Sequence, residues 1–274
     1  MVTGTSSGIG RATVLELTRL GFKIFASVRK ANDAEALAKI APGVTPLIFD
    51  VADEQSVAVA AERIEAMVGD AGLYGLVNNA GVGTFGPVEG IPLGEWRRQM
   101  EINVIGQVAV IQAFLPLLRK ARGRIVNIGS IGGRTTIPFG GALCASKHAV
   151  EAINDALRME LKHWGISVSL VAPGSIHTNA ADRMVADGEA MMKQMRPDRL
   201  SLYEQRFRHM LNTMSKDEMS GSSPEVVAKV VARALTDLRP KTRYPAGKRS
   251  VFLAVMASIL PTRVFDSIKL RQMA

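Results

Sequence analysis

Gly4-Thr5-Ser6-Ser7-Gly8-Ile9-Gly10 lies between the short apolar lead Met1-Val2-Thr3 and a run in which Val14, Leu15, Leu17 and Leu20 recur at near-helical spacing. Glycines spaced by four and by two, after a strand and before a helix, allow a tight turn. They also let bare backbone approach a pyrophosphate held at the helix N-terminus. That context makes the glycine loop informative, where a lone one would be weak. The lead is shorter than the roughly five residues of a usual central strand, so a shortened start and a stunted first strand are expected.

Outward from the loop, the alternation continues. The first helix covers Arg11–Leu20 and stops at Gly21, and 22–28 is an apolar run suited to a strand buried on both faces. A helix over 33–40, a strand at 44–49 and a helix to about Val68 capped by Asp53 follow. Strands are expected at 73–77, 124–128 and 166–171. Helices are expected at 94–119, 142–163 and 224–235, the first broken near Asn103 and tightened at its end by Pro116. The last opens with Ser223 as N-cap and Pro224 at its first position. Such alternation with short connections predicts an α/β, doubly wound parallel sheet of the Rossmann type, one domain over 1–274. The polar, Met-rich stretch 177–222 follows a strand's carboxyl end and is expected to form a helical lid over the site.

The 274 residues suit one large domain, and 47% hydrophobic residues can build a sizeable core. Cys144 is the only cysteine, so no intrachain disulfide forms, and a reducing, cytoplasmic setting is expected. No metal-ligand spacing stands out. The start has neither the basic nor the apolar region of a signal peptide. Most of the +9 net charge comes from the tail after Leu238, with eight Lys/Arg against the single acid Asp266. No aromatics interleave with those charges, which argues against nucleic acid and leaves a solvated face or an anionic surface.

Further segments carry chemistry beside the glycine loop. Asp50-Val51 follows the third strand, Asn78-Asn79-Ala80-Gly81 ends the fourth, and Ser130 ends the fifth. Asn103 lies in Asn103-Val104-Ile105-Gly106, and Pro173-Gly174-Ser175-Ile176-His177-Thr178 follows the sixth strand. Together with Lys147 on the helix after Gly140, these motifs resemble those of the short-chain dehydrogenase/reductase family, in order and over nearly the whole length.

The resemblance implies roles. Gly4, Thr5, Ser6, Ser7, Gly8, Ile9 and Gly10 would hold the cofactor's pyrophosphate, and Asp50 and Val51 its adenine. Asn79, Ala80 and Gly81 would lie beside it, while Pro173, Gly174, Ile176 and Thr178 would hold the nicotinamide carboxamide. Asn103 would order a relay water, Ser130 orient the substrate and Lys147 hold the ribose. In the family, a tyrosine four residues before the lysine gives the proton to the carbonyl oxygen. Here that position is Leu143, so catalytic turnover is expected to be impaired. Cys144 projects about 100° away along the helix, and His148 also faces elsewhere. Tyr203, in the lid, is the tyrosine placed nearest the site by the sequence.

At the end of the second strand, Ser27-Val28-Arg29-Lys30 holds no acid to bond a free ribose hydroxyl. Arg29 and Lys30 suit a 2′-phosphate, so NADP(H) is expected over NAD(H). Gly81–Glu89, Pro138-Phe139-Gly140 and the 174–178 loop look most like the hydroxysteroid and retinol dehydrogenase branch. That likeness implies a lipophilic ketone, aldehyde or alcohol as substrate, in a homodimer or homotetramer. The alternatives are a cofactor-binding pseudoenzyme and a non-redox enzyme on the same scaffold. The apolar run 251–260, flanked by Lys248, Arg249 and Arg263, is too short to span a bilayer. It is expected to cover the cleft or a subunit contact, with a peripheral membrane contact as the alternative.

Overall fold

A computed structural model describes residues 1–273. Its strands are β1 (Ile24–Val28), β2 (Val44–Ile48), β3 (Gly75–Asn78), β4 (Arg124–Ile128), β5 (Ser167–Pro173) and β6 (Arg243–Ala246). β1 pairs with β2, and β3 to β6 pair in sequence order, all parallel. Val2 joins the two groups by bridging Ala26 on one side and Val77 on the other. The first strand is thus reduced to a bridging residue, as its short lead suggested. Both its neighbours still find partners: Val2 N–H donates to Phe25 O at 2.9 Å and Val77 N–H to Met1 O at 2.8 Å. The chain leaves Val2 first toward β1 and later toward β3. That reversal is the switch point outside which doubly wound sheets bind ligands.

Helices α1 (Gly8–Arg19), α2 (Ala31–Ile40) and α9 (Pro224–Thr236) cover one face, through Val14, Leu17, Leu37, Val227 and Val231. On the other lie α3 (Glu54–Val68) and α5 (Gly106–Ala121), which bury Ile64, Val110, Phe114 and Leu118 against Leu76 and Ile125. Helix α6 (Gly141–Glu160) packs Val150 on Leu170. Truncating a core side chain such as Phe114 to alanine would remove about 3–5 kcal/mol of stability. Asp53 caps α3 by accepting from the N–H groups of Gln55 and Ser56.

The long helical region breaks where expected. Helix α4 (Leu93–Met100) passes through a π turn at Glu101–Ile105 into α5. Pro116, however, sits inside α5 rather than ending it. The Gln112 carbonyl it deprives of a donor belongs to an exposed residue, so water can take that bond. Among the described residues, Leu93–Ala121 alone is long and apolar enough to cross a membrane. Its fully buried Val110, Phe114 and Leu118 mark it as a core helix.

The 177–222 stretch forms a hairpin of α7 (Asn179–Met192) and α8 (Pro197–Met219). Its core holds Met184, Met192, Met195, Phe207, Met210 and Leu211. After β6 come α10 (Ser250–Ile259) and α11 (Thr262–Met273), which the sequence pattern left unassigned.

Candidate active site

The carboxyl ends of the strands open into a cleft of about 850 Å³, toward the upper end for ligand sites. Gly4, Ser6, Ser7, Gly8, Ile9 and Gly10 form its floor. Gly4 and Gly8 adopt φ of +66° and +54°, which side chains resist. A Cβ on Gly10 would lie 2.2 Å from Gly4 O and 2.5 Å from Asn79 Nδ2. Asn79 Nδ2 braces the loop by donating to Thr3 O and Gly4 O, each at 2.9 Å. The first N–H groups of α1 have no partner within the helix, and Ser7 makes no side-chain cap. Polar donors converging at a positive helix end, over backbone bare of Cβ, fit a dinucleotide's pyrophosphate.

Thr5 does not join this floor. It is fully buried, and its Oγ1 donates to Ser27 O at 2.8 Å, tying the loop to β1 from behind. Ser27, which the sequence reading left without a role, accepts from Gly4 N–H at 3.1 Å and lines the cleft. A serine in an otherwise apolar strand was the available signal for it.

Beside the ends of β1 and β2 the cleft is lined by Val28, Arg29, Asp50 and Val51. Arg29 lies 4.0 Å from Asp50 Oδ2, with two thirds of its side chain exposed. Lys30 lies outside the lining. It is exposed at the N-cap position before α2, so of the two expected cations only Arg29 faces the cleft.

Asn79, Ala80 and Gly81 continue the wall toward Ile128, Gly129, Ser130, Leu143 and Lys147. Lys147 Nζ donates to Ile128 O at 2.9 Å, and desolvation lowers its pKa to about 8. Ser130 Oγ accepts from Gly132 N–H at 3.0 Å, leaving its hydroxyl hydrogen free to donate. Leu143 shares this wall and supplies carbon only.

Asn103 lies behind the cleft wall rather than in its lining. Its Oδ1 accepts from Val82 N–H, and its Nδ2 donates to Val82 O and Ser146 Oγ. The side chain is buried, its amide is spent on these bonds, and it does not line the cleft. Through these bonds it clamps the loop at Val82 to α6.

Pro173, Gly174, Ile176 and Thr178 close the far side. Thr178 caps α7 by accepting from Ala180 N–H, and its Cγ2 lies 3.4 Å from where a Cβ on Gly8 would be. The lid therefore starts directly against the glycine loop. It contributes Arg183, Met184, Asp187, Met191 and Glu218, and Glu95 and Arg98 of α4 face it. Burial, with Asp217 adjacent, raises the Glu218 pKa to about 7. No spacing in the sequence singled Glu218 out. Met184 and Met191 line the cleft while Met192, Met195 and Met210 fill the lid's own core, so the methionines serve both purposes.

Tyr203 stays outside the lining and packs edge-on against Phe139. Cys144 is buried with its thiol pKa raised by desolvation, and His148 Nδ1 bonds Cys144 O within α6. Among the described residues no metal-holding cluster occurs.

The model of the short chain dehydrogenase family matches residues 1–189. The chain is 36% identical to human retinol dehydrogenase 5, with 97% of this chain and 86% of that protein covered. It is also 36% identical to the NADPH-dependent 3-dehydrocapnine reductase of Ornithobacterium rhinotracheale, with coverage of 98% and 94%. A crystal structure of a short-chain dehydrogenase from Streptomyces avermitilis superposes with a TM-score of 0.77 at 25% identity, covering 98% of this chain and 92% of that one. With the glycine loop, the parallel sheet and Lys147 in place, the chain belongs to the short-chain dehydrogenase/reductase family of nicotinamide-dependent oxidoreductases.

Proposed function

We propose that this protein is an NADP(H)-dependent oxidoreductase that interconverts a lipophilic ketone or aldehyde with its alcohol, slowly, because Leu143 stands at the proton-donor position. One observation carries the reading. A single cleft runs from the bare glycine loop past Arg29, then past Ser130 and Lys147 to the apolar surface of Phe85, Leu143, Met184 and Met191. The 3-dehydrocapnine reductase, NADPH-dependent by name, and the retinol dehydrogenase support the cofactor and the substrate class respectively.

The glycine loop and the N-terminus of α1 would hold the pyrophosphate, Arg29 the 2′-phosphate, and Lys147 the nicotinamide ribose. When bound, the cofactor supplies or accepts the hydride. The free Ser130 hydroxyl donates to the substrate oxygen and orients it. The Lys147 ammonium adds positive potential where negative charge develops. Leu143 gives no proton, and losing a positioned general acid lowers the rate by about 10²–10⁴. Water reaching the open cleft must then complete the protonation.

The test compares this chain with Leu143→Tyr in NADPH binding and in reduction of steroid, retinoid and quinone carbonyls. A rise of about 10²–10⁴ in kcat for the variant, at unchanged cofactor affinity, is the expected result. Leu143 itself favours one rival, a cofactor-binding protein without redox activity. Firm NADPH binding with no reduction by either form would select it. A cytoplasmic location and a homodimer or homotetramer complete the proposal, the latter to be measured by sedimentation.

A further inference from the structure

Helix α10 reads Ser-Val-Phe-Leu-Ala-Val-Met-Ala-Ser-Ile and holds no charged residue. At 100° per residue, Val251, Phe252, Val255 and Ile259 fall on one arc. All four stand in solvent, 46–64% exposed. Helix α11 adds Val264, Ile268 and Leu270, also exposed, while Phe265 faces inward and is buried. Exposed apolar residues are ordinary one at a time, but seven on two consecutive helices form a surface that needs an occupant.

The cleft does not supply it. Among the described residues nothing after Glu218 lines that cleft, so the expectation that the tail covers it fails. The helices are anchored from behind. Ser250 is buried and bonds Gly247 O, α10 packs on the Ile131–Gly133 turn after Ser130, and Lys269 Nζ donates to Thr136 O at 2.8 Å.

Charge narrows the choice of occupant. Arg263 and Arg271 are exposed beside the apolar residues, and neither has an ion-pair partner among the described residues. Lys248 and Arg249 both lean on one carboxylate, Asp217, leaving that end positive too. The one acid of α11, Asp266, is paired with Lys269. A second copy meeting this face by two-fold symmetry would set it against itself and bring like charges together. An anionic bilayer answers both features, with acyl chains for the apolar arc and headgroups for the arginines. Ten residues of helix extend about 15 Å, half a hydrocarbon core, so α10 would lie along the surface.

We propose that α10 and α11 form a peripheral docking face for anionic lipid bilayers. The face adjoins the turn after Ser130, so docking would bring the substrate end of the cleft beside the bilayer from which a lipophilic substrate partitions. The proposal stands independently of the redox reading, since it concerns binding alone.

The experiment floats the full chain on vesicles of phosphatidylcholine alone and of phosphatidylcholine mixed with phosphatidylglycerol. Flotation with the anionic vesicles only is expected, weakening as salt screens the headgroups. Val255→Asp with Ile259→Asp should abolish it, and Arg263→Gln with Arg271→Gln should weaken it roughly fivefold per arginine. Unchanged circular dichroism and sedimentation would show that the variants stay folded. Failure to float, equal binding to neutral vesicles, or flotation unaffected by the variants would overturn the proposal. So would a lipid-free dimer that Val255→Asp with Ile259→Asp dissociates, because the occupant would then be a second copy.

Discussion

Lys147 Nζ donates to the carbonyl oxygen of Ile128 at 2.9 Å, tying α6 to the end of β4 on the cleft wall. Desolvation holds its pKa at about 8 in the folded protein, below the ordinary lysine value. The unfolded chain therefore binds this proton more tightly, and folding is penalised while the amine is charged. Stability should rise with pH between about 8 and about 10.5 as the folded lysine loses its proton first, by at most about 3 kcal/mol. Urea unfolding of this protein and of Lys147→Met across that window isolates the effect. Parallel curves for the two would show that Lys147 is not desolvated.

Gly10→Ala should be severe for a reason confined to one spot. The added Cβ would meet Gly4 O at 2.2 Å and Asn79 Nδ2 at 2.5 Å, the first a backbone atom and the second a side-chain amide tied down by two hydrogen bonds. Asn79 would have to release the glycine loop. Overpacking of this kind is expected to lower stability by about 1–3 kcal/mol. NADPH should stabilise the unsubstituted protein against heat and leave Gly10→Ala unshifted, which paired thermal melts with and without NADPH would read. Gly21→Ala is the control for backbone strain, since its site has open space but a φ of +84°.

Elements with strong periodicity were legible in the sequence, and those held by context were not. Arg124–Ile128 is a strand end to end, because its apolar residues are buried on both faces. Strand β6 escaped because Arg-Tyr-Pro-Ala is short and contains proline. It lies at the sheet edge, where the missing N–H costs no ladder bond, and it still alternates with Tyr244 and Ala246 buried. The helices α10 and α11 gave no helical pattern because their apolar residues face solvent as well as protein.

Site residues held by backbone geometry were readable, since glycine spacing encodes a conformation. Thr5 and Lys30 were not, because a side chain's direction depends on partners distant in sequence. Asn103 meets Ser146 only once α6 packs beside the π turn. Glu218 reaches the cleft only because α8 returns to the loop after β5, where Ser222 N–H donates to Ser175 O.

Glu218 should make cofactor affinity depend on pH. Burial and the neighbouring Asp217 raise its pKa to about 7, and it lines the cleft that the anionic dinucleotide would enter. The phosphates favour the neutral carboxyl, so binding should take up protons, and affinity should fall as pH rises through 7. Calorimetry in buffers of different ionisation enthalpy reads that uptake directly. Glu218→Gln should abolish it and flatten the affinity between pH 6 and 8 (about one unit either side of that pKa). A variant that keeps the proton uptake would assign it elsewhere.

Arg29 is the residue expected to discriminate between the two nicotinamide cofactors, because it is the cation at the end of β1 that lines the cleft. Its pairing with Asp50 at 4.0 Å is largely exposed, so the contact restrains it little and the guanidinium can turn to a phosphate. A charge-assisted bond to the 2′-phosphate is worth about 1.5–3 kcal/mol. Arg29→Ala should therefore weaken NADPH binding by about 10–100-fold while leaving NADH nearly unchanged. Arg29→Asp should go further, repelling the phosphate and offering a carboxylate to the free ribose hydroxyl, so that NADH becomes the tighter ligand. Lys30→Ala is the internal comparison, because that side chain lies outside the lining and should alter neither affinity appreciably. Fluorescence titration of all three variants with both cofactors measures this directly. An NADPH-to-NADH ratio unmoved by Arg29→Ala would show that the end of β1 does not read the phosphate.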